Sequence, residues 1–267
     1  KNLIHTFHVL LFSMFLLSFE KSVFAEPNKL NDRDSVEMIT ISEGYFLMGS
    51  KAGEGRSDER PQNKIYLDSY EIDVYEVSNK RYLNFIKKTN RKEPPNPYEE
   101  KPLSETREVS KVPVVQVTWY DAVDYCRWVG KRLPTEAEWE KSARSGSESK
   151  YYWGEEVDDS YAWHWDNSDR KTRSVGEKRP NKLGLYDTAG NVWEWTADWY
   201  DQNYYQNRSS KNPKSIFNGK HRVLRGGSFM DKAEGLRVTR RNWDLPSAKF
   251  KNFGFRCVKN KNNISID

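Results

Sequence analysis

Gly184-Leu185-Tyr186-Asp187-Thr188-Ala189-Gly190-Asn191-Val192-Trp193-Glu194-Trp195-Thr196-Ala197-Asp198-Trp199-Tyr200 is the stretch on which the reading of this chain turns. It gathers three tryptophans and three carboxylates behind a glycine-bearing turn. After Asn191, Trp193, Trp195 and Trp199 share one parity, while Glu194, Thr196 and Asp198 share the other. That period of two predicts a β-strand with one aromatic and one acidic face. Ahead of it Asp187 and Gly190 mark a turn, because glycine tolerates backbone angles that other residues avoid. An acidic turn feeding such a strand suits a hard cation. The alternative is an aromatic core strand whose acids are simply solvated.

Outward from that stretch, the 267 residues allow one large domain with a sizeable core. Ten Trp, fifteen Tyr and twelve Phe make the core aromatic rather than aliphatic, which favours short strands and ordered loops. The formal charge is +5, but basic and acidic residues are interspersed. The short clusters Lys87-Lys88, Arg240-Arg241 and Lys259 to Lys261 lack the pattern of a nucleic-acid module, so no nucleic acid is expected.

Near the N-terminus an apolar run, Val9 to Phe19, is too short to span a bilayer comfortably. Ser22-Val23-Phe24-Ala25 then offers a cleavage site before Glu26. Residues 1–25 read as a signal peptide. A periplasmic or secreted protein with no membrane span after cleavage follows, the alternative being an uncleaved anchor. Residues 26–37 are a polar linker, 38–260 the domain and 261–267 a tail. The only two cysteines, Cys126 and Cys257, lie far apart, which in an oxidising compartment most simply means one structural disulfide. A catalytic dithiol would more often be local.

Along the domain, strands are expected over Met38–Ser42, Tyr45–Gly49, Lys64–Asp73 and Val114–Val117. One helix begins at Ser78 or Asn79. A second is capped by Thr118 with Asp121 three residues on, and a third by Thr135 with Glu138. Residues 51–62, 91–113 and 201–221 are loops. From 151 to 257 no strong helical period remains, so the whole is a single α+β domain with few helices, short strands and much irregular structure.

Seven segments also occur in a familiar order: Gly44 to Gly49, Tyr75 to Asn79, Gly130 to Glu140, Tyr152-Trp153-Gly154, Gly184 to Tyr200, Arg225 to Phe229 and Phe253 to Cys257. Together they resemble the formylglycine-generating enzyme, or sulfatase-modifying factor, family over residues 38 to 258. The resemblance implies a C-type-lectin-like fold and pairs Cys126 with Cys257. It also implies a structural calcium on the Asp187 and Glu194 carboxylates and the Gly190 and Val192 carbonyls, an oxygen-only set that calcium prefers. Ser228, Trp193, Asn252 and, with a local gap, Arg241 match residues that line the family's substrate cleft.

The family oxidises a substrate cysteine with oxygen and copper(I) held by two cysteines, since soft thiolates suit that ion. Asp231 and Leu236 fall at those two positions here, so copper is not expected. Asp231, Glu234 and Arg237 could serve acid–base work, though surface charge on a loop is the simpler reading. Glycine-rich phosphate loops and His-Glu-x-x-His motifs are absent from the sequence, and His164 and His221 alone do not make a transition-metal site. Two readings remain: an exported accessory, maturation or binding factor for a protein or peptide partner, and an oxidoreductase or protein-modifying enzyme of the same family with another mechanism.

Overall fold

In the computed structural model, residues 36–106, 110–215 and 219–261 are described; the expected signal peptide, nearly all of the linker and residues 262–267 of the tail lie outside them. The chain begins with strands β1 (Met38–Ile41) and β2 (Gly44–Met48). Next come β3 (Asn63–Leu67) and β4 (Tyr70–Asp73). The single strand expected over 64–73 is thus two, broken at Asp68-Ser69. Its halves join different sheets: β3 pairs antiparallel with β2, and β4 with β1.

Helix α1 (Asn79–Thr89) starts behind Ser78 and stops where Asn90 turns left-handed. The Val114–Val117 segment is not a strand. Gln116 has φ 60°, and its N–H is drawn instead to the Phe250 carbonyl at 3.0 Å. Helices α2 (Trp119–Trp128) and α3 (Glu136–Arg144) carry the two expected capping boxes, Thr118 with Asp121 and Thr135 with Glu138.

Strand β5 (Trp193–Trp199) follows, then the one-turn helix α4 (Tyr204–Asn207), which is too short to leave a period in the sequence. The chain ends in β6 (Arg222–Arg225), β7 (Arg241–Asp244), β8 (Phe253–Gly254) and β9 (Val258–Asn260). One sheet has the order β7-β6-β5-β8, with β8 parallel to β5; a second runs β1-β4-β9.

Strand β5 is covered on both sides. Its aromatic face meets α1 and α2 in a cluster containing Trp195, Phe85, Tyr125, Phe255 and both cysteines. Cys126 of α2 and Cys257 are joined in a disulfide. The acidic face is not solvated: Glu194, Thr196 and Asp198 are all buried. Asp198 accepts the N–H groups of Glu136 at 2.8 Å and Ser215 at 2.6 Å, an acid placed at the N-terminus of α3 where the helix dipole favours it. Burial and the neighbouring Glu136 nonetheless push its carboxyl up to about 7.

Beneath the same face, Glu136 and Glu140 of α3 meet three guanidiniums. Arg225 bonds Glu136 at 3.1 Å and Glu140 at 2.6 Å, Arg241 grips Glu136 at 2.7 and 3.0 Å, and Arg144 reaches Glu140 at 2.9 Å. The whole group is sealed from solvent. It locks α3 to β6 and β7 by charge rather than by apolar packing.

Candidate functional site

Four side chains from three distant segments converge at the Trp193 end of β5. The Ser228 hydroxyl donates to the Asp231 carboxylate at 2.6 Å and accepts from Asn252 Nδ2 at 3.1 Å and from the Met230 N–H at 3.2 Å. The Trp193 indole stands near the same carboxylate and favours its charged form. The backbone sets this up: the Trp193 N–H donates to the Asn252 carbonyl at 2.8 Å as β8 draws alongside β5. Ser228 is presented by a turn in which Gly227 has φ 77° and could not carry a side chain, since a Cβ would stand 2.5 Å from Leu236 Cδ2.

Asp231 is therefore not a loose surface charge. Burial raises its carboxyl above the ordinary range, while Ser228, Trp193 and the nearby Arg240 pull the other way. Glu234 is exposed, and Arg237 is spent on Glu59 at 2.7 Å. Leu236 is buried with Tyr151, Tyr152 and Ala189. Met230, 39 % exposed, offers an apolar surface beside the Ser228–Asp231 pair.

Arg241 does not join this group. Its guanidinium is wholly buried on Glu136, because its strand position pairs it with Arg225 on the inward face. Arg240, one residue earlier and only partly buried, is the arginine whose charge Asp231 feels. The inward parity of β7 was the signal that separates the two.

The positions at which the resemblance puts copper cysteines hold a hydrogen-bonded carboxylate and a packed leucine, and both cysteines are committed to the disulfide. Copper(I) does not fit this donor set.

Calcium fits its proposed turn better. Asp187, Gly190 and Asn191 take φ values of 56°, 80° and 54°, curling the chain so closely on Trp163 that a Cβ on Gly190 would stand 2.2 Å from its carbonyl oxygen. Asp187 accepts the Gly176 N–H at 2.7 Å, and burial lifts its carboxyl to about 6. Glu76 accepts Asn191 Nδ2 at 2.7 Å and the Val192 N–H at 3.3 Å, and burial with the charges of Asp187 and Glu194 raises it strongly. Glu194 is held bidentately by Arg256 at 2.7 and 2.8 Å and by the Trp139 indole at 2.9 Å. Glu194 alone is ion-paired with Arg256, while Glu76 and Asp187 feel that charge without bonding it, leaving three buried carboxyl groups of hard oxygen donors around one cation. Among the described residues no three His, Cys, Asp or Glu side chains converge as a metal cluster, so backbone carbonyls would have to complete the shell. Glu194 is the member already most engaged.

The description sulfatase-modifying factor enzyme 1-like domain matches residues 23–261. The chain belongs to the sulfatase-modifying factor family. It is 31 % identical over 291 residues to a formylglycine-generating enzyme of Streptomyces coelicolor, covering 88 % of this chain and 93 % of that protein. It is 38 % identical over 238 residues to serine/threonine-protein kinase pkn1 of Chlamydia caviae, covering 84 % of this chain but only 38 % of that protein. The chain thus spans little more than a third of the length of that kinase-named relative. Treponema denticola variable protein 1 superposes with a TM-score of 0.74 at 26 % identity, over 84 % of this chain and 95 % of that one. The single α+β domain of this chain, with few helices and short strands, shares the fold of that solved structure.

Proposed function

We propose that this protein is an exported accessory or maturation factor that binds a protein or peptide partner in the cleft at Ser228, without copper-dithiol chemistry. The observation that carries the reading is the Ser228–Asp231–Asn252 hydrogen-bond network, with Asp231 at one of the two positions where a thiolate would stand. Ser228 and Trp193 are buried and hold the half-buried Asp231 and Asn252 beside the exposed Met230, and these last three suit recognition of a polar segment of polypeptide. Periplasmic or secreted location rests on the N-terminal apolar run and the disulfide; among the described residues no helix is long and apolar enough to cross a membrane. Kinase activity is not proposed, since the sequence has no glycine-rich phosphate loop.

A photocrosslinker replacing Met230 should trap a polypeptide partner from the exported fraction, and Asp231→Arg should abolish the adduct. Purified protein should retain no copper and consume no oxygen with cysteine-containing peptides. Stoichiometric copper or peptide oxidation would sink the reading. The second reading, a modifying enzyme with another mechanism, draws on the 2.6 Å hydrogen bond between Ser228 and Asp231 as an acid–base pair. It requires covalent change in the trapped partner, which mass spectrometry of the released polypeptide detects.

Calcium is proposed as a structural ion at Asp187, Gly190, Val192 and Glu194, tying the turn down under the cleft. At roughly 100 times its Kd a bound ion stabilises by about 2.7 kcal/mol. Adding calcium to chelator-treated protein should therefore raise Tm by roughly 5–10 °C, and Asp187→Asn should remove the response. An unchanged melting curve with and without calcium rejects the assignment.

A further inference from the structure

A cavity of about 750 Å³ opens at the Trp199 end of β5. Trp193 lies six residues back along the strand, roughly 20 Å away at the rise of a β-strand, so this space is separate from the Ser228 cleft. Its central feature is Arg222, whose guanidinium carbon lies 3.7 Å from the ring centroid of Trp119 and 3.4 Å from that of Trp199. The Trp119 indole is itself pinned, donating to the Thr196 carbonyl at 2.8 Å.

Stacking on indoles covers the faces of a guanidinium and leaves its in-plane N–H edge for hydrogen bonding. Arg222 uses only part of that edge. Nη1 donates to the Ala197 carbonyl at 2.8 Å, while Nε is buried without a partner. No carboxylate of the described residues forms an ion pair with it; Asp198, the nearest acid it responds to, is occupied by two backbone N–H groups. Arg225 and Arg241, by contrast, are ion-paired with glutamates, although Arg225 Nε is likewise without a partner.

The rest of the lining has the same bias. Arg127, Lys214 and Lys261 add positive charge. The two acids are already engaged, Glu138 by Arg132 at 2.6 Å and Asp68 by Asn212 at 2.7 Å. Leu67, Val123 and Leu133 supply apolar wall. A preorganised fork with spare donors, set in a partly apolar and net-positive cavity, is the arrangement that recognises a carboxylate bidentately.

We propose that this cavity is a second ligand site, taking a carboxylate carried on an apolar body, with Arg222 as anchor and Trp119 and Trp199 as walls. Two sources share that chemistry, a free organic acid and the C-terminus of a peptide. Three probes separate them: phenylacetate, a short peptide ending in phenylalanine, and the same peptide amidated. Binding is followed by tryptophan fluorescence and by the indole N–H resonance of Trp119.

Saturable binding of at least one free acid is expected, with the amide weaker by about tenfold or more, the loss of a charge-assisted bond. Phenylacetate alone binding identifies a small acid; the peptide acid binding as well or better identifies a C-terminus. Arg222→Lys should lose the same factor, because an ammonium offers no planar fork, while Ser228→Ala in the separate cleft should leave binding intact. Should Arg222 variants unfold, Lys214→Glu on the exposed rim should weaken binding without touching the stack. Equal affinity for acid and amide, or no saturable shift with any probe, would overturn the proposal.

Discussion

Arg225→Ala is expected to lower stability by about 3–5 kcal/mol, the usual consequence of removing one partner from a buried ion pair. For a domain of this size that is a fall in Tm of roughly 6–20 °C. The reason is specific. Glu136 and Glu140 are both fully buried, and Arg225 is the guanidinium that bonds both, the Tyr205 hydroxyl adding a neutral donor to each. Without it Glu140 keeps Arg144 and Glu136 keeps Arg241, but each retains an oxygen with reduced compensation. Replacing the pair together, as Arg225→Met with Glu140→Leu, should cost less than the two single changes combined, because Arg225 and Glu140 no longer strand each other, although Arg144 then keeps only backbone carbonyls.

The same network sets an acid limit. Burial alone would raise the Glu140 carboxyl, but Arg144 and Arg225 overcome that and hold it at about 2. A carboxyl depressed in the folded state contributes stability above its unfolded pKa and loses it as pH falls through the folded value. The Glu140 contribution is therefore complete above about pH 4.5 and drains between there and about pH 2. Urea midpoints of wild type and Arg225→Ala should converge over that interval. A Tm change under about 2 °C for Arg225→Ala at neutral pH would show that the network is held for geometry and not for stability.

The second large effect belongs to the disulfide. Cys126 and Cys257 stand 131 residues apart, and closing a loop of that length stabilises by about 4–5 kcal/mol in the chain-entropy account. The double change Cys126→Ala with Cys257→Ala should therefore lower Tm by roughly 8–20 °C. Both sulfurs sit in the aromatic cluster with Phe85, Tyr125 and Phe255, so lost packing adds to the entropic term. Thiol titration of denatured, unreduced protein should find no free thiol and, after reduction, two. Free thiols before reduction would refute the bond.

Much of this architecture was legible in the sequence because local rules were obeyed. Thr118 with Asp121 and Thr135 with Glu138 marked helix starts that the structure keeps. The alternation from Trp193 to Trp199 marked β5 and its two faces. What could not be read was what lay against each face. Alternation separates Glu194 and Asp198 from the tryptophans, but both faces turned out to be buried, because Arg256 and the N-terminus of α3 replace water. Val114–Val117 has strand-like residues, yet tertiary hydrogen bonds and a left-handed Gln116 override them.

At the cleft the family order of segments placed Ser228, Trp193 and Asn252, and the structure brings them together with Asp231. Arg241 lies apart from them, buried on Glu136. A matched position carries no information about which neighbouring arginine faces inward until β7 is paired with β6. The Trp119–Arg222–Trp199 stack was invisible for a similar reason, since helix α2 and two strands contribute one residue each.

The placement of β8 and β9 has a consequence for how the molecule comes to exist. β8 lies beside β5, β9 beside β4, Arg256 neutralises the centre and Cys257 closes the long loop. All of these lie within eight residues, Phe253 to Asn260, after every other strand and helix of the domain. Pairings of such sequence separation form late, after the entropy of closing the intervening chain has been overcome. The earlier segments are therefore held in waiting, with two sheets and a carboxylate cluster incomplete. A chain without Phe253 to Asn260 would lose a strand from each of two sheets together with the disulfide and the central guanidinium.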